Sequence, residues 1–116
     1  MSNTFLMKSY NLGNDLFINL SGVFDGNSAW ELANIILARS HGFEKLFIDA
    51  RNLSKVLPFG AEMIVNLVPR VLVREKNVLI KDCHGTHSGL DHFQILSEKN
   101  FSGENHRNCF STTSIC

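Results

Sequence analysis

Hydrophobic and polar positions alternate loosely at Phe5, Met7 and Ser9-Tyr10, and the turn chemistry of Asn11-Leu12-Gly13-Asn14-Asp15 separates them from the run Leu16-Phe17-Ile18-Asn19-Leu20. The pattern predicts a β-hairpin. More consecutive apolar residues in the second arm place it further inside a sheet, with the Phe5 arm nearer an edge. Beyond Asp25-Gly26, Ser28 is suited to cap a helix, and Glu31 three residues later completes a capping box. Ala29, Leu32, Ala33, Ile36 and Ser40 then share one side at helical spacing, flanked by Ile35, until His41-Gly42 supplies the stop.

Lys45-Leu46-Phe47-Ile48-Asp49-Ala50 and Asn77-Val78-Leu79-Ile80-Lys81 have continuous apolar centres, as strands covered on both faces in a parallel arrangement do. A helix between them begins near Gly60 and carries Met63, Ile64, Leu67 and Val71 on one stripe. Pro69 lacks the amide that would bond to the Val65 carbonyl, so the helix kinks or ends near Val68. A third helix is expected over residues 90–99, with Leu90, Phe93, Ile95 and Leu96 as its apolar contacts. The order is β-β-α-β-α-β-α, an α/β fold with a mixed four- or five-stranded sheet, about three helices and two right-handed crossovers. Residues 100–116 form either a final short strand or a frayed tail.

Leu20-Ser21-Gly22-Val23-Phe24-Asp25-Gly26-Asn27-Ser28-Ala29-Trp30-Glu31-Leu32 resembles the signature of the sulfate-transporter and anti-sigma-factor-antagonist (STAS) domains. The resemblance covers roughly residues 15–99 and implies a single STAS-like domain spanning 1–116, a regulatory module that binds protein partners and has no catalytic motif. In that family the functional surface is the loop after the strand matching Lys45 to Asp49, together with the next helix start. Here it runs Asn52-Leu53-Ser54-Lys55-Val56-Leu57-Pro58-Phe59-Gly60. Members that switch partners by phosphorylation usually carry Asp-Ser or Ser-Ser just before the matching glycine. This chain has Leu57, Pro58 and Phe59 there, and neither proline nor phenylalanine accepts the phosphate that would add the switching charge. Ser54 lies six positions before Gly60, outside that slot, where a turn-stabilising role suits it.

Loss of the switch leaves a binding surface built from Ser54, Lys55, Pro58, Phe59, Gly60 and Met63. Pro58 restricts the backbone ahead of the helix, and Gly60 permits close approach. Phe59 either presents an aromatic anchor or tucks under the helix as an ordinary core side chain. The free amides at Gly60, with Lys55 nearby, also suit an anion, although the chain has no phosphate-binding glycine motif.

With 116 residues the chain fits one domain that builds a core without disulfides or metal. Its 44% hydrophobic and 19% charged content is globular. Eleven basic and eleven acidic side chains cancel, which removes the net field that draws a protein to nucleic acid or an anionic membrane. The start, Met1-Ser2-Asn3-Thr4, lacks the regions of a signal peptide, and no apolar run approaches the ~20 residues of a membrane helix. A cytoplasmic protein without membrane insertion is expected, and its odd set of cysteines, Cys83, Cys109 and Cys116, is expected to be reduced.

Metal chemistry offers a rival. Cys83 and His87 are four apart and His106 and Cys109 three apart, a two-Cys, two-His set able to close a tetrahedral zinc site, though without the common Cys-x2-Cys spacing. A cysteine nucleophile fits poorly, because Cys83 and His84 point apart on a strand and no orienting third group is identifiable. Asp49, ending a buried strand, is the acid whose surroundings are most able to shift its pKa. The sequence therefore favours a non-enzymatic protein-interaction module needing no cofactor, whose partner is a regulator or complex subunit. Self-association through a sheet edge or apolar face is a further expectation. The alternative is a small-ligand or metal-binding module using the loop before Gly60 or the Cys/His cluster.

Overall fold

Apolar residues of the first two strands meet in a hairpin that starts the sheet. β1 (Leu6–Leu12) pairs antiparallel with β2 (Asp15–Phe24) from Leu6↔Ser21 to Leu12↔Asp15, and β1 lies at the edge. The structure, a computed structural model, describes residues 4–83 and 85–102, with side chains as far as Ser97.

α1 (Gly26–Ala38) begins two residues before Ser28, because Asp25 and not Ser28 is its N-cap. The Asp25 carboxylate accepts hydrogen bonds from the Ser28 amide and hydroxyl, both at 2.9 Å. A carboxylate complements the helix dipole, which a serine hydroxyl does less well, and so takes the cap. Ser28 is buried as the residue the cap holds, and Glu31 stays exposed.

β3 (Lys45–Val56) is twice the length the apolar centre suggested. Its second half is paired in parallel with the end of β2, from Ser21↔Asn52 to Phe24↔Val56, with register shifts between Asn19 and Ser21 and between Gly22 and Val23. The bulge depends on Gly22, at φ +90°, where an added Cβ would lie 2.1 Å from the Thr4 carbonyl oxygen.

α2 (Pro58–Leu67) ends one residue before Val68, and α3 (Arg70–Glu75) restarts with Pro69 as its N-cap residue, so the proline divides the helix as expected. The restart turns Val71 outward, and it is exposed instead of continuing the α2 stripe. β4 (Val78–Asp82) joins β3 in parallel, and β5 (Gly85–Ser88) turns back antiparallel to it. α4 (His92–Ser102) follows; it buries Phe93 but leaves Ile95 exposed, contrary to the expected apolar contact. The result is a single α/β layout with a mixed five-stranded sheet ordered β1-β2-β3-β4-β5 and four helices among the described residues. A last strand or a tail was expected over residues 100–116; residues 100–102 instead complete α4, and residues 103–116 lie outside the described residues.

Leu16, Ile18, Leu20, Leu46, Ile48, Val78 and Ile80 face a core shared with Leu32 and Ile36 of α1, Ile64 of α2 and Phe93 of α4. Phe24 closes one end, stacked on Phe93 with centroids 4.9 Å apart. Alternation leaves Tyr10, Phe17 and Phe47 on the opposite face, where they stack in a row at 5.3 and 4.7 Å.

The Asp25 cap gives a measurable consequence. Its hydrogen bonds from Ser28 outweigh burial and hold the carboxyl below its ordinary value. Replacement by alanine should cost about 1 kcal/mol in urea unfolding at pH 7. Because the folded-state pKa is depressed, this contribution is present above the ordinary carboxylate range and disappears as pH falls through the lowered value. The difference between native protein and Asp25→Ala should therefore shrink in acid.

Candidate functional site

Pro58 opens α2 at its first turn, where a missing amide costs nothing, and fixes the backbone that brings the helix onto α1. Gly60 is the point of contact. A Cβ built there would meet the Asp25 carbonyl carbon and oxygen at 2.7 Å and the Asp25 Cα at 2.9 Å, so only glycine lets α2 start against the α1 cap. One helix start is therefore seated on the other.

This seating determines where the next side chains go. A Cβ at Gly26 would come within 2.9 Å of the Phe59 ring and 3.4 Å of Met63 Sδ, so both side chains lie over the first turn of α1. Phe59 is nevertheless 65% exposed, while Met63 is half-buried against the core. The buried alternative for Phe59 does not occur. Trp30 stands one turn beyond Gly26 on the same helix face and is 58% exposed. Phe59, Met63 and Trp30 thus flank one helix junction, and Trp30 is the member the sequence reading overlooked. Its position, two before the core residue Leu32 and outside the buried stripe, was the available signal.

Ser54 and Lys55 belong to β3 and not to a loop. The Ser54 hydroxyl donates to the Gly22 carbonyl at 3.2 Å and so ties β3 to the β2 bulge. Lys55 is exposed. At the other end of the motif Asp49 is partly buried, which raises its pKa, but hydrogen bonds from the Arg51 side chain and amide prevail and hold it low.

The cysteine and histidine residues fall elsewhere. Cys83 is half-buried just after β4 and is disulfide-bonded, in contrast to the reduced thiol expected. His87 lies on β5, while His84, His106 and Cys109 are outside the described residues. Sequence reasoning did not connect His87 with Asp82 and His92, the residues the fold brings beside it.

No protein-family model matches the chain, and no curated protein matches it in sequence. Among solved structures it is similar to an anti-sigma factor antagonist from Mycobacterium paratuberculosis, with a TM-score of 0.58 and 10% identity over 98% of this chain and 97% of the other. The two proteins share a fold. At that identity the likeness bears on architecture, and it agrees with the STAS-like layout of sheet and helices.

The Gly60 contact can be tested by stability. Gly60→Ala should lose about 1–3 kcal/mol in urea unfolding, the cost of overpacking. Gly42→Ala is the control, since its added Cβ would meet only the Arg39 carbonyl oxygen at 3.6 Å and should change stability by less than about 0.5 kcal/mol.

Proposed function

We propose that this chain is a non-enzymatic STAS-like regulatory module of the cytoplasm that binds a protein partner through the α1–α2 junction. The observation that carries this reading is the exposure of Phe59 and Trp30 beside a junction that Gly60 allows to pack closely. Large aromatics on a fixed scaffold are the side chains that dominate interface energetics, because they bury much area and lose little rotamer entropy. The fold shared with an anti-sigma factor antagonist supports a regulatory role for such a surface. Among the described residues no helix is long and apolar enough to cross a membrane.

The module works without a phosphorylation switch. Leu57-Pro58-Phe59 occupies the slot before Gly60, and the Ser54 hydroxyl is engaged with Gly22 across the sheet. Among the described residues, the acids with shifted pKa values, Asp25 and Asp49, are committed to a helix cap and to Arg51. The partner is a regulator or a complex subunit. A second copy of the chain is a separate reading favoured by the row Tyr10, Phe17 and Phe47 on the sheet face away from the core.

Pull-down of the purified protein from its host lysate, quantified by mass spectrometry, tests the placement. Phe59→Ala combined with Trp30→Ala should lower partner recovery by about 10-fold or more, the loss of roughly 1.4 kcal/mol or more of binding free energy. Val71→Ala removes an apolar side chain that is also exposed, on α3, and should recover the partner as the native protein does. Full recovery by a folded double variant would remove the junction from the interface.

A further inference from the structure

Asp82 ends β4 on its core-facing side, where Val78 and Ile80 precede it at alternate positions. His87 of β5 is paired with Ile80 and so projects toward the same side, and His92 opens α4. Three elements therefore bring one carboxylate and two imidazoles together, with a ligand atom from each lying within 4.8 Å of the others. Asp82 and His92 are buried, at 3% and 7% exposure.

We infer that Asp82, His87 and His92 form a divalent transition-metal site of the zinc class. The donor set is two imidazole nitrogens and one carboxylate oxygen, which with a fourth position taken by water matches the three-protein-ligand arrangement of zinc. Both histidines direct the same atom, Nε2, at the carboxylate: His92 Nε2 contacts Oδ2, and His87 Nε2 lies 3.7 Å from Oδ1. The second distance is too long for a hydrogen bond. It is close to the roughly 3.4 Å that separates two ligands bound at about 2.1 Å to one tetrahedral ion, whereas His92 and Asp82 stand closer than that and must part when the ion binds.

The His87 nitrogen supplies the independent indication of a ligand. Nε2 is buried and has no hydrogen-bond partner among the described residues, although buried polar atoms are rarely left without one. A metal ion takes the lone pair that no donor in the described protein satisfies. A shallow groove of about 460 Å³ lined by Thr86, His87, Ser88, Asp91, His92 and Ile95 provides a route for the ion and room for a bound water. The two rings are stacked, with centroids 3.9 Å apart and planes at 15°. An ion lies in the plane of each imidazole that binds it, so loading requires the pair to splay. His87 is the ring able to move, being half-exposed on the edge strand β5. The bound ion would fasten the β4–β5 hairpin to the start of α4.

The test uses the full chain without a histidine tag, stripped with chelator and titrated with Zn²⁺ by calorimetry and with Co²⁺ by absorption spectroscopy. One equivalent should bind, and the Co²⁺ spectrum should show tetrahedral ligand-field bands without the intense near-ultraviolet thiolate band. His87→Ala and the isosteric Asp82→Asn should each weaken Zn²⁺ by more than about 10-fold, the loss that even an outer-sphere partner brings, with circular dichroism confirming the fold. His106→Ala combined with Cys109→Ser should bind as the native chain does. Substoichiometric Zn²⁺ binding by the native chain, native affinity in both folded ligand variants, or a thiolate band that disappears in the His106/Cys109 variant would each overturn the assignment.

Discussion

Seating the α2 N-terminus on the Asp25 backbone is the contact that organises the α1–α2 end of this protein, the candidate partner surface. It needs three residues in concert. Asp25 caps α1 and fixes where that helix begins, Pro58 sets the entry of α2, and Gly60 removes the side chain that would hold the two starts apart. Each acts on the backbone, and their joint product is a position for side chains. Phe59 and Met63 come to rest over the first turn of α1 because Gly60 lets the turns beneath them pack closely. Phe59 is held in place on one side while the rest of its ring remains in solvent, the condition under which an aromatic anchor gains most on binding.

The sheet transmits the same constraint. The β2 bulge at Gly22 and the elongated β3 place Val56 beside Phe24, and the Leu57 amide donates to the Phe24 carbonyl at 2.9 Å. Both crossovers therefore leave the sheet side by side, one to α1 and one to α2. Ser54 belongs to this construction, since its hydroxyl reaches the Gly22 carbonyl at the bulge. The opposite end of the sheet is organised by polar groups: Asp82 and His92 are buried in contact with each other where β4, β5 and α4 meet.

Local patterns carried much of this fold. The hairpin, the α1 stripe, the apolar centres of β3 and β4 and the break at Pro69 all follow from periodicity and turn chemistry over a few residues. The differences arise where long-range pairing decides. Arg51-Asn52-Leu53-Ser54-Lys55 has turn-like composition, yet it is strand because the end of β2 offers it a partner. Gly85-Thr86-His87-Ser88 has no apolar alternation and becomes β5 through its pairing with β4. The candidate surface was legible as far as Pro58, Phe59, Gly60 and Met63, which are contiguous in the motif. Trp30 was not, since its place beside the junction depends on how α2 is seated on the first turn of α1. Asp82, His87 and His92 escaped notice as a set for a similar reason: a carboxylate ending an apolar strand and two separated histidines acquire a common purpose only when the chain folds back.

Trp30 is the sole tryptophan and therefore reports directly on the central claim that the α1–α2 junction is the partner surface. The decisive measurement is its fluorescence, with acrylamide quenching, in the free protein and in the complex with the recovered partner. The free protein should emit as a solvent-exposed indole that acrylamide quenches readily, and the complex should shift to shorter wavelength with quenching suppressed. A saturated complex in which Trp30 emission and quenching are unchanged would contradict the placement of the interface.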